Sequence, residues 1–77
     1  MAHDVVKVLD YKGLPCPMPV VKISQDIGTI ELGQVVEVNT TDPGSIPDFD
    51  AWARTTGQEV VECIPGEVIK IYVKRNK

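Results

Sequence analysis

Pro17-Met18-Pro19-Val20-Val21-Lys22-Ile23-Ser24-Gln25-Asp26-Ile27-Gly28-Thr29-Ile30 is the stretch over which the apolar period of the chain changes. Val20, Ile23, Ile27 and Ile30 recur at helical spacing, and Lys22, Gln25, Asp26 and Thr29 fill the opposite face, so the stretch reads as an amphipathic helix. Gly28 costs about 1 kcal/mol relative to Ala in its interior, and Gly33 supplies the stop. Upstream, Val5-Val6-Lys7-Val8-Leu9 is a β-branched run ended by Asp10 and Gly13, which reads as a first strand followed by a loop from Tyr11 to Pro15. Downstream, Gln34 to Thr40 reads as a second strand, ended by Asp42-Pro43-Gly44. A strand, a helix and a strand in succession form a βαβ unit with a right-handed crossover.

The rest of the chain extends this unit. Ser45 with Asp48 three residues on fits a helix capping box, and Phe49, Trp52, Ala53 and Thr56 then line one face until Gly57. Glu59 to Ile64 and Glu67 to Lys74 are strand runs joined by Pro65-Gly66, suited to the centre of a type II turn. In the last strand Ile69, Ile71 and Val73 alternate with Lys70, Tyr72 and Lys74, as expected when one sheet face meets helices and the other meets water or a partner. The expected fold is α+β: a two-layer β-α-β-α-β-β sandwich with a four-stranded mixed sheet and two helices on one face. At 77 residues and 8.5 kDa this is one domain, residues 1–77. Folding at this size buries only about 60% of the unfolded chain's surface, so chemistry is expected near the surface and not in a deep cleft.

Composition narrows the function classes. With 43% apolar and 25% charged residues the chain belongs with globular proteins. A net charge of −3 disfavours direct nucleic-acid binding, which calls for a basic stripe. No segment approaches the apolar length of a membrane span, and nothing resembles a targeting sequence, so the expected location is the cytoplasm. Two cysteines make no disulfide framework. His3 stands near the N-terminus and the cysteines are far apart in sequence, so no metal site is expected.

Pro15-Cys16-Pro17-Met18-Pro19 is the one segment that carries chemistry, a thiol bracketed by prolines where a loop meets a helix. Proline fixes its own φ and pushes the preceding residue out of the helical region, which places Cys16 at the N-cap and Pro17 at the first helical position. The helix dipole favours a thiolate there, by about 0.3–1 kcal/mol. One pKa unit is about 1.36 kcal/mol, so the shift stays under one unit. Pro17 and Pro19 also remove two of the N–H groups facing the sulfur and leave those of Met18 and Val20. Rigid presentation then matters more than acidity, which suits a carrier. Lys12 and Lys22 are either ordinary solvated side chains or support for a thiolate or persulfide anion. Cys63, in the third strand, is a core or surface filler, or a resolving thiol if exposed. Trp52 and Phe49 are read as core contacts of the second helix.

Asp10-x-x-Gly13-x-x-Cys16-Pro17-x-Pro19, Thr41-Asp42-Pro43-Gly44-Ser45 and Ala51-Trp52-Ala53-Arg54-x-Thr56-Gly57 resemble the TusA/SirA family of small sulfur-carrier proteins, over about residues 6 to 75. The resemblance implies the same β-α-β-α-β-β sandwich and a role in sulfur relay. Cys16 takes the position that accepts sulfane sulfur as a covalent persulfide, with no other cofactor. The resemblance further implies a donor protein, a cysteine desulfurase or rhodanese, and an acceptor such as a DsrE-type relay protein. The routes it implies are tRNA 2-thiolation, cofactor assembly or sulfur oxidation. Asp10, Gly13 and Asp42, with Pro17 and Pro19, match positions that shape the loops beside the cysteine. Many relatives carry a denser basic stretch along the first helix, where this chain has only Lys22, and Gln58 stands where relatives often have His. Two other classes compete with persulfide carriage: a binding or regulatory module in which the thiol is incidental, and a redox-sensing thiol.

Overall fold

The computed structural model describes residues 4–15 and 17–77; His3 and Cys16 lie outside the described residues. In chain order the elements are β1 (Val5–Asp10), α1 (Met18–Asp26), a 3-10 turn (Ile27–Thr29), β2 (Val35–Thr40), α2 (Ser45–Thr56), β3 (Glu59–Ile64) and β4 (Ile69–Lys74). The strands form one sheet in the order β1-β2-β4-β3, in which β1 and β2 run parallel and the other two pairs antiparallel. This is the expected mixed sheet. Ile23 and Ile27 from the first helical segment and Phe49, Trp52 and Ala53 from α2 form one cluster with Val36, Val38, Ile69, Ile71 and Val73, so both helices cover the same sheet face. The Trp52 indole N–H donates to Ser24 Oγ at 2.9 Å and ties α2 to α1. Phe49 and Trp52 are core contacts, as their spacing predicts.

Several local expectations are corrected. The first helix yields to a 3-10 turn at Ile27, where Gly28 is a poor helix former and Thr29 Oγ1 donates back to the Asp26 carbonyl at 2.6 Å. Asp26, expected on the solvent face, is only partly exposed and accepts a hydrogen bond from the Tyr11 hydroxyl. No capping box forms at Ser45. Gly44 is the N-cap and Ser45 the first helical residue, with its hydroxyl buried against that of Thr40 at 3.2 Å. The Asp42 carboxylate accepts the Gly44 N–H instead, at 3.0 Å. Thr56 is exposed, its hydroxyl satisfied by the Trp52 carbonyl at 2.8 Å. Gly57 ends α2 as expected, in the left-handed conformation at φ 83°.

Pro65-Gly66 does not form a type II turn. Gly66 has φ 159°, far from the roughly +80° that the turn requires, and β4 begins at Ile69, so residues 65–68 form a wider connection. The core decides the loop length: Ile69 must pair with Thr40 and lie on the buried face with Ile71 and Val73. Each such burial is worth about 1.5–3 kcal/mol. The exposed face carries Tyr72, whose hydroxyl donates to Glu37 Oε1 on the neighbouring strand at 3.0 Å.

Candidate functional site

The parallel strands β1 and β2 end side by side, Asp10 opposite Asn39, and both helices begin beyond those ends. The loops entering α1 and α2 are therefore neighbours. The Tyr11 N–H continues the ladder by donating to the Asn39 carbonyl at 2.7 Å, and the Gly13 N–H crosses to Thr41 Oγ1 at 3.1 Å. Gly13 makes this bond from φ +81°, a conformation that favours glycine, with open space around it. Asp10 Oδ1 accepts the Lys12 N–H at 3.1 Å, which shapes the turn out of β1. Asp42 performs the equivalent task at the second loop through the Gly44 N–H. Asp10, Gly13 and Asp42 thus stand at one end of the molecule with Pro17 and Pro19.

The start of α1 differs from expectation by one residue. Pro17 is the N-cap and Met18 the first helical residue, with Pro19 second, so Cys16 precedes the cap in sequence. Pro17 is exposed while Pro19 is fully buried, which seats the first turn on the core. The Met18 N–H donates to the Pro15 carbonyl at 2.8 Å, and the Val20 and Val21 N–H groups both donate to the Pro17 carbonyl at 3.1 Å. The two N–H groups that the prolines leave for an anion are therefore engaged by the main chain. Turn closure and helix capping use the donors that thiolate activation requires, and the prolines cannot replace them. Lys12 Nζ stands 3.9 Å from Asp10 Oδ1, an exposed pair that shares its charge with a carboxylate, and Lys22 is half-buried on α1.

Cys63 has a definite place. It pairs with Ile71 in β3, at the opposite edge of the sheet from β1, and packs half-buried against the core. Burial pushes its thiol pKa up, so less of it is thiolate at a given pH. We expect Cys63, in a Cys16→Ser background, to be alkylated by iodoacetamide more slowly than a free thiol at pH 8. Its rate should rise along a curve displaced to higher pH and recover on unfolding. A native rate equal to that of the unfolded chain would contradict this placement.

Tyr11 is the residue that sequence reasoning passed over. Read as the first position of a loop, it is 2% exposed and belongs to the core. Its hydroxyl donates to Asp26 Oδ2, and burial together with that carboxylate raises its pKa far above the usual phenol value. The signal was an aromatic residue next to a strand end, with an aspartate on the last turn of the following helix.

A family model described as Sulfurtransferase TusA matches residues 7–75. The chain belongs to the TusA family. A protein of Halobacterium salinarum that bears a provisional sulfur-carrier name is 44% identical over 77 residues, covering 97% of this chain and 95% of its own. The sulfur carrier protein TusA of Allochromatium vinosum is 44% identical over 59 residues, covering 77% of this chain and 78% of its own. The crystal structure of a SirA-like protein from Desulfitobacterium hafniense superposes with a TM-score of 0.77 over 92% of this chain and 99% of that one, at 23% identity, and so shares the fold. Membership of the TusA family supports a sulfur-carrier role, which entails contact with a protein that gives sulfur and one that takes it. No helix among the described residues is long and apolar enough to cross a membrane.

Proposed function

We propose that this chain is a persulfide carrier that accepts sulfane sulfur on Cys16 and relays it to a partner protein in the cytoplasm. The observation that carries the reading is the match of residues 7–75 to the TusA family model, a span that contains Cys16. Cys63 is half-buried against the core and its thiol pKa is raised by burial, which favours Cys16, the thiol of the Pro15-Cys16-Pro17-Met18-Pro19 segment, for the cargo. In loading, the Cys16 thiolate attacks the terminal sulfur of a donor persulfide. The S–S bond of the donor breaks, the donor sulfur leaves as a thiolate, and Cys16 carries the new persulfide. In delivery, an acceptor thiolate attacks the outer sulfur and Cys16 leaves as thiolate, so sulfur moves with no net oxidation.

Tight hydrogen bonding around Gly13, Leu14 and Met18 supports rigid presentation, and the engaged N–H groups argue against strong intrinsic activation. The partner enzymes supply the remaining catalysis, a cysteine desulfurase or rhodanese as donor and a DsrE-type protein or similar as acceptor. The pathway served is tRNA 2-thiolation, cofactor assembly or sulfur oxidation. The test is anaerobic intact-mass spectrometry after incubation with a desulfurase or a rhodanese system. A gain of one sulfur atom, lost on reduction, is expected. No gain with either donor would favour a binding module over a carrier.

A further inference from the structure

The segment that contains Cys16 is closed on itself by a side-chain contact. Tyr11 opens the loop and Asp26 ends α1, and the Tyr11 hydroxyl donates to Asp26 Oδ2 across fifteen residues of chain. Tyr11 is also held by its main chain: its N–H donates to the Asn39 carbonyl at 2.7 Å and its carbonyl accepts the Leu14 N–H at 3.2 Å. Its ring lies in the same cluster as Ile23 and Ile27. One residue therefore links the sheet, the loop and the far end of the helix that follows the thiol. Nothing in a plain core role requires the hydroxyl, because a phenylalanine ring would fill the same volume. A hydrogen bond from a buried phenol to a carboxylate is among the stronger kinds, and it is directional.

Building on the persulfide-carrier reading, we propose that Tyr11 is a positioning residue for sulfur transfer, its hydroxyl bracing the Cys16 loop against Asp26 of α1. The brace fixes the seat of α1 relative to β1, and hence the direction in which the loop presents its thiol to a partner. Reacting atoms must be held about 3–3.5 Å apart and aligned, and a misplacement of about 1 Å can cost about 10²-fold, so a loosened loop slows chemistry more than docking.

The test uses Tyr11→Phe, Asp26→Ala, the double variant and Asp26→Asn, which keeps an acceptor oxygen. Amide hydrogen exchange at Leu14 and Met18, whose N–H groups close the loop, should accelerate about tenfold in Tyr11→Phe and Asp26→Ala and stay near wild type in Asp26→Asn. Amides of β2 and β4 should be unchanged. Single-turnover sulfur transfer from loaded carrier to an acceptor should fall about tenfold in the same two variants at unaltered half-saturation, and no further in the double variant. Unchanged loop exchange in Tyr11→Phe would overturn the brace. Faster exchange with a wild-type transfer rate would overturn the positioning role and leave the carrier reading intact. A wild type that takes no sulfur would sink the carrier reading instead, and the positioning role with it, while the exchange measurements still decide whether the brace exists.

Discussion

Cys16→Ser is expected to lose sulfur loading altogether, and Cys63→Ser to load at the wild-type level. The first effect is expected to be complete because a serine oxygen cannot hold sulfane sulfur as a persulfide. The second follows from placement. Cys63 faces the helices across from Ile71, its thiol pKa is raised by burial, and it lies at the far edge of the sheet from the strand that leads into the loop. Intact-mass spectra of the wild type and both variants decide this, and the same variants separate the competing classes. A binding module retains partner affinity and cellular function in Cys16→Ser. A redox sensor gains oxygen or forms a disulfide under peroxide in the wild type and takes up no sulfur. Sulfur found on Cys63 would mean that the cargo thiol had been assigned wrongly. Carriage on Cys16 does not need a strongly acidic thiol, since nucleophilicity falls as pKa falls and an attacking thiol works best with a pKa near ambient pH.

The architecture was legible because periodicity is a property of the chain alone. Val20, Ile23 and Ile27 announce a helix by spacing, and Ile69, Ile71 and Val73 announce a strand with one buried face. What the sequence could not show depended on pairing between segments. Cys63 and Val60 have opposite parity in β3, so alternation alone assigns them to different faces. A register shift between Val60 and Glu62 leaves Val61 extra and turns both residues toward the core. Ser45 and Asp48 have capping-box spacing, yet the Asp42 carboxylate takes the Gly44 N–H first and moves the helix start. Pro65-Gly66 is good turn chemistry overridden by the register of Ile69. At the candidate site, Asp10, Gly13 and Asp42 stood out through the family resemblance, and Pro17 and Pro19 also through the proline bracket around Cys16. Tyr11 was missed because its importance lies in a contact with Asp26, and an aromatic residue at a strand end with an aspartate fifteen residues on is too common a pattern to pair the two.

Phe49→Ala should come close to unfolding the protein. Phe49 is fully buried at the centre of α2, with its ring centroid 6.2 Å from that of Trp52 at a tilted angle of 57°. Truncating a buried phenylalanine costs about 3–5 kcal/mol, because the lost transfer energy is joined by a cavity that the neighbours only partly fill. A chain of 77 residues has a total stability of only about 4–12 kcal/mol. The midpoint of thermal unfolding should therefore drop by about 15 °C or more, read from the fluorescence of the single tryptophan. Phe49→Leu retains most of the volume and should lose less than half as much. A loss under about 1 kcal/mol for Phe49→Ala would mean that the two helices do not share one core with the sheet. The loss would reach the site as well. α2 is tied to α1 through Trp52 and Ser24, and the loop before it holds Gly13 through Thr41, so loosening this helix weakens two of the supports of the cysteine loop.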